Sequence, residues 1–102
     1  MKIDLTGVDV VNNTARKRFE LNVDGKTAVT EYMTPGDKII FTHTEVPIGL
    51  EGNGIASLLA KAALEWAKEQ NLKVMPLCPY VAGYIKRHPE WKALLLEGFR
   101  VD

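Results

Sequence analysis

The sequence predicts an α/β domain of the α+β kind, in which an antiparallel meander of strands is followed by a long helix, a returning parallel strand and C-terminal helices. Alternating polar and apolar residues fill much of its first half, the signature of half-buried strands. After Gly54 the apolar spacing changes to that of an amphipathic helix. A short apolar segment then follows the helix directly, as expected of a strand brought back by a crossover.

Arg18 to Val23 alternates strictly, so Phe19, Leu21 and Val23 are expected to face the core. Asp24-Gly25 tolerates the positive φ angles of a two-residue hairpin, which makes Lys26 to Met33 the return strand. Thr34-Pro35-Gly36-Asp37 is a second turn. The next strand, Lys38 to Val46, is dense in β-branched and aromatic residues and stops at Pro47. Val8, Val10 and Val11 add an earlier, weaker strand.

From Gly54 onward Ile55, Leu58, Leu59, Ala62 and Trp66 form one helical stripe, with Lys61 and Glu65 on the solvent side and an end near Gln70-Asn71. Leu72 to Leu77 reads as the parallel strand, and Pro76 within it implies a sheet edge. Pro79 suits the first position of a helix that runs to about His88, where His88-Pro89 breaks it. A last short helix is expected from Glu90 to Leu96, ending at Gly98.

At 102 residues the chain fits one domain, spanning 1–102, and leaves no room for a second. Thirteen basic residues balance thirteen acidic ones, so no overall field draws it to nucleic acid or an anionic membrane. Neither partner is expected. No stretch approaches the roughly 20 apolar residues that would span a bilayer. One cysteine cannot form an internal disulfide, and Met1-Lys2-Ile3-Asp4-Leu5 lacks the apolar run of a signal peptide; a cytoplasmic protein is expected. No His/Cys/Asp/Glu cluster has metal-ligand spacing, so no metal is expected. The sequence leaves open a monomer or a weak dimer.

The most informative residues are Gly49-Leu50-Glu51-Gly52-Asn53-Gly54-Ile55-Ala56, a glycine-rich turn between a strand and the N-terminus of the long helix. The first amides of a helix have no partners within it, the macrodipole adds partial positive charge, and missing side chains let an anion reach the backbone. The same residues also suit a plain flexible connection. Two nucleotide readings fail, however. A Walker loop needs Lys-Ser/Thr after its last glycine, where Ile55 stands. A dinucleotide fingerprint needs a parallel unit before the loop and an acid closing the next strand, which instead ends in Leu77-Cys78.

The loop and a second block, Cys78-Pro79-Tyr80-Val81-Ala82-Gly83-Tyr84-Ile85-Lys86-Arg87-His88-Pro89, resemble the GNAT N-acetyltransferases, specifically their small stand-alone YjdJ-type domains, over nearly the whole chain. The superfamily signature Gln/Arg-x-x-Gly-x-Gly/Ala falls on Glu51 to Ala56; Gly54 and Ala56 match, and Glu51 departs from it. The resemblance implies a truncated GNAT fold whose two parallel strands splay around acetyl-coenzyme A. Pantetheine amides would pair with the backbone near Thr44 to Val46. The pyrophosphate would rest on Gly52, Asn53, Gly54, Ile55 and Ala56, with the backbone N–H of Glu51 contributing. The co-substrate would be acetyl-CoA and the acceptor an amine, either a protein lysine or N-terminus or a small amine, met on an unusually open side.

Direct transfer needs a base for the ammonium, a donor for the oxyanion and an acid for the departing thiolate. Tyr84 resembles the superfamily tyrosine that protonates this thiolate; its other role is packing on the sheet. His43 shares a strand face with Ile39 and Phe41 unless a bulge intervenes, and is either a core histidine or the base, with Glu45 as the competing base. Cys78, ahead of the helix at Pro79, is a small buried hydrophobe, an acetyl carrier or a residue that lines the thioester site. The resemblance makes it an active-site cysteine. Lys86 and Arg87 are the basic pair expected near the cofactor phosphates, or a solvated helix end. Trp66 and Trp91 read as packing residues, and His88 as a helix stop.

Overall fold

In the computed structural model, residues 8–101 are described. The N-terminal segment read above for a signal peptide lies outside them. Five strands form one sheet in the order β1-β2-β3-β4-β5. They are β1 (Val11–Asn13), β2 (Arg18–Val23), β3 (Lys26–Met33), β4 (Lys38–Glu45) and β5 (Lys73–Pro76). Neighbours are antiparallel except for β4 and β5, which are parallel. Helix α1 (Ile55–Glu69) makes the crossover between those two, and α2 (Pro79–Arg87) follows β5.

The meander takes its register from its turns. Asp24 and Gly25 both have positive φ, 50° and 75°, the pair of left-handed residues that twists a two-residue hairpin to match its strands. Phe19, Leu21 and Val23 lie buried on one face, opposite Ala28 and Thr30 of β3. Helix α1 covers this face. Its Trp66 packs edge-on to Phe19, with ring centres 5.9 Å apart, and tilted against Tyr32 at 5.6 Å, a trio that fixes how the helix crosses the sheet.

The buried stripe of α1 is Ile55, Leu59, Ala60, Ala63, Leu64 and Ala67, which corrects the predicted one. Leu58 is exposed, and Ala62 and Trp66 are half-buried. The large side chains misdirect the reading because three alanines bring the helix close to the sheet. That rotates its bulkier residues towards the edges of the contact.

The predicted last helix is also corrected. Pro89–Leu94 forms a 3-10 helix, and Leu95 and Leu96 then leave it for the sheet, where the Leu96 amide donates to the Val74 carbonyl at 2.9 Å. Val74 and Pro76 direct their backbone polar groups to the same outer side of β5. Pro76 therefore lacks its N–H where no full ladder needs it. The predicted early strand is shorter as well, because Val8 and Val10 pack on the core ahead of β1.

Candidate active site

The parallel pairing of β4 and β5 runs from Lys38↔Lys73 to Phe41↔Pro76 and ends there. The Cys78 amide donates to the Phe41 carbonyl at 2.8 Å, and Pro79 then turns the chain into α2. β4 continues to Glu45 without β5 beside it. Opposite β3 it carries one extra residue. Tyr32 faces Phe41 and Glu31 faces His43, so Thr42 bulges between them. Thr44, opposite Thr30, therefore stands on the α1 side of the sheet with Phe41, while His43 and Glu45 stand exposed on the other side. The bulge settles the open alternative for His43, which is not a core histidine.

Where the strands part there is a cleft of about 320 Å³, lined by Thr44, Val46, Leu50, Glu51, Gly52, Gly54, Ile55, Ala56 and Tyr80. A slightly larger hollow, about 360 Å³, lies between Lys92 and Val101 in the C-terminal segment. It touches neither the glycine loop nor the splayed strand, and so carries none of this chemistry.

Gly52 and Gly54 have φ of 80° and 75°, and a Cβ on either would meet nothing within 4 Å. Glycine is needed here for the backbone angle and leaves the loop surface bare. Asn53 donates from Nδ2 to the carbonyls of Leu50, at 3.0 Å, and Glu51, at 3.1 Å, which fastens the loop from within. The buried Leu50 anchors it below. Gly54 is the N-cap of α1 and offers no side-chain cap, and the first turn holds no acid. The first helical bond runs from Leu58 N to Gly54 O. The amides of Ile55, Ala56 and Ser57 precede that bond and form an anion-binding end. Glu51 is exposed at the rim.

Cys78 is the N-cap of α2 and only 3% exposed. Its Sγ donates to Thr44 Oγ1 at 3.3 Å, and Thr44 Oγ1 lies 3.1 Å from Oγ1 of the buried Thr30. The thiol thus adjoins the cleft through Thr44. Tyr84 does not line the cleft. It is buried, its ring 4.3 Å from that of His88, and burial first, then the carboxylates of Glu90 and Glu65, push its phenol above the usual value. Tyr80 is the tyrosine on the cleft wall, with its hydroxyl 3.1 Å from Ser57 Oγ of α1. Lys86 and Arg87 are exposed, and the Arg87 guanidinium lies 5.8 Å from the centre of the Tyr80 ring.

The structure therefore gathers Thr44, Val46, Glu51, Gly52, Gly54, Ile55 and Ala56 around one cleft, with Asn53 in its loop and Cys78 behind Thr44. It sets His43 and Glu45 on the opposite sheet face from Thr44. Sequence reasoning missed Tyr80, Ser57 and Thr30. Tyr80 could have been found, because it lies one helical turn before Tyr84 and two residues after Cys78. Among the described residues no group of three or more His, Cys, Asp or Glu side chains could hold a metal ion. No described helix is long and apolar enough to cross a membrane.

A family model described as GCN5-related N-acetyl-transferase matches residues 18–94, from the first strand of the hairpin to the end of the 3-10 helix. The chain belongs to this family. Proteins named NATD1 are similar to this acetyltransferase-family chain. The chicken protein is 38% identical over 85 residues, covering 80% of this chain and 77% of its own, and the human one is 38% identical, covering 80% and 75%. A solution NMR structure of a GCN5-like candidate N-acetyltransferase from Staphylococcus aureus superposes with a TM-score of 0.64. It shares 21% identity and covers 86% of this chain and 87% of that one, which shows the shared fold. Members of the family generally use acetyl-CoA.

Proposed function

We propose that this protein binds acetyl-CoA in the cleft walled by the unpaired end of β4, the glycine loop and Tyr80, and transfers the acetyl group to an amine. The observation that carries this reading is the coincidence of two features at one opening. β4 loses its parallel neighbour after Phe41, and the loop that leaves it ends in an uncapped helix N-terminus behind two left-handed glycines. The free edge of Thr44 to Val46 suits the amides of pantetheine, as it would an added strand. The backbone from Glu51 to Ala56 suits the pyrophosphate.

In that pose the thioester reaches the inner wall, where Thr44 carries the thiol of Cys78. Two routes fit. In direct attack the amine adds to the thioester carbonyl and the coenzyme leaves as thiolate, with Cys78 lining the site. In the covalent route Cys78 Sγ attacks the thioester and the coenzyme leaves as thiolate, taking up the Cys78 proton; the amine then attacks the acetyl-cysteine and Cys78 leaves as thiolate, recovering a proton from the amine. His43 and Glu45 lie across the sheet from Thr44 and serve as base only towards an amine that arrives from that face. Tyr84 retains its proton to higher pH than an ordinary phenol, which suits an acid, although it stands behind the cleft wall.

The separation of His43 from Cys78 favours a second reading, a non-catalytic acyl-CoA-binding or protein-docking module. Acetyl-CoA incubated with polyamines, lysine peptides or amino-sugars separates the two. Amine-dependent release of free coenzyme supports the enzyme, and quantitative recovery of intact acetyl-CoA supports the module. A melting curve with coenzyme A tests the binding itself, since ligand at ~100 times its Kd adds about 2.7 kcal/mol to stability. An unchanged melting temperature rejects coenzyme A binding, and with it the enzyme, and leaves only the protein-docking module.

A further inference from the structure

Gly83 stands in the middle of α2, where glycine costs a helix roughly 1 kcal/mol relative to alanine. Its use lies in what crosses it. The Arg87 side chain, though exposed, runs back along the helix. Its Nη1 lies 3.4 Å from where a Cβ on Gly83 would be, and its guanidinium sits over the Tyr80 ring. Tyr80 is in turn a wall of the cleft, and its hydroxyl meets Ser57, the residue after Ala56 in the first turn of α1. Arg87 takes part in neither ion pair found among the described residues, Arg18 with Glu20 and Lys38 with Asp37.

A cation free of carboxylates is thus carried one helical turn back towards the glycine loop and held against an aromatic face. The diphosphate of the cofactor is already provided for by backbone amides. What remains for a side-chain cation is the 3′-phosphomonoester of the ribose, which carries nearly two charges at neutral pH and matches the fork of a guanidinium. We infer that Arg87, guided by Gly83 and Tyr80, selects coenzyme A over its 3′-dephospho form. This rests on the acetyl-CoA reading of the cleft and adds to it a specificity-determining residue, together with two that position it.

Titration calorimetry with coenzyme A and with 3′-dephospho-coenzyme A tests this. The wild-type protein is expected to prefer coenzyme A by about tenfold, the scale of one charge-assisted pair, and by less as salt rises. Arg87→Gln brings the ratio to about one by weakening coenzyme A alone, and Arg87→Lys restores part of it. Gly83→Leu, which fills the track of the side chain, has the same effect as Arg87→Gln. Gly83→Ala keeps the ratio and raises the melting temperature. A preference that survives Arg87→Gln, or wild-type affinities that are equal, overturns the inference and leaves the acetyl-CoA reading standing. If the wild-type protein binds neither ligand, the reading beneath it falls and the inference falls with it.

Discussion

The thiol of Cys78 donates to the hydroxyl of Thr44 at 3.3 Å, tying the N-cap of α2 to the part of β4 that has lost its parallel neighbour. Whatever enters the crevice at Thr44 therefore meets sulfur next. Cys78→Ala is expected to keep the fold and the affinity for coenzyme A, because the side chain it shortens is small and buried. If the covalent route operates, the variant loses turnover, and mass spectrometry of wild-type protein incubated with acetyl-CoA alone finds one added acetyl group. If attack is direct, turnover falls only a few-fold and no adduct forms.

Thr44→Val removes the acceptor of that thiol and leaves the hydroxyl of Thr30 buried without its partner. The expected loss is about 1–3 kcal/mol, the usual cost of an orphaned buried polar group. Thr44→Ser keeps the oxygen and restores most of it. Urea denaturation of the two variants checks this.

Gly54→Ala places a side chain at φ 75°, where an L-residue costs roughly 1–2 kcal/mol. No neighbour lies within 4 Å of the new Cβ, so the protein still folds. Its methyl group stands on the surface assigned to the pyrophosphate, and coenzyme A affinity should fall by an order of magnitude or more, about 1.4 kcal/mol per tenfold. Thermal shift with and without coenzyme A separates the two effects, since only the second depends on ligand.

Glu20 bonds to Arg18 on the open sheet face, and that bond holds its carboxyl below the ordinary value. The unfolded chain binds a proton near ~4.3, the folded chain only at lower pH. The stabilisation is therefore complete above the unfolded value and lost as acid titrates the folded one. Arg18→Met should lower the melting temperature modestly at neutral pH. The gap to wild type should close as the pH falls below about 4, and a series of melts across that range reads it directly.

His43→Gln probes the far side of the sheet. Because His43 does not stand with Thr44, coenzyme A affinity should be unchanged, while amine-dependent release slows. Unchanged kinetics would remove His43 from the chemistry and leave Glu45 as the base on that face.

The hairpin and the long helix were legible because their signals are local. Asp24-Gly25 fixes a turn whatever surrounds it, and the strands on either side match their predicted bounds. The glycine loop was legible for the same reason, since glycines clustered between a strand and a helix permit the left-handed backbone that Gly49, Gly52 and Gly54 adopt. What escaped depends on tertiary contact. Only packing on the sheet shows that Ala60, Ala63 and Ala67 face the core in preference to Leu58. Only the capture of Leu96 by Val74 shortens the last helix. Tyr84 and Tyr80 belong to the same helix, and the packing of Tyr80 against Ser57 of α1 is what brings it, and not Tyr84, to the crevice.

The single surplus residue at Thr42 also governs more than local geometry. Alternation along a strand is strict, so a β4 in which Thr42 paired in register, with no bulge, would keep its length but turn its final stretch inside out. His43 and Glu45 would swing in beneath the helix, and the threonine that holds the thiol would be left facing water. Half of the chemistry on this strand thus depends on a residue that need never touch a reactant.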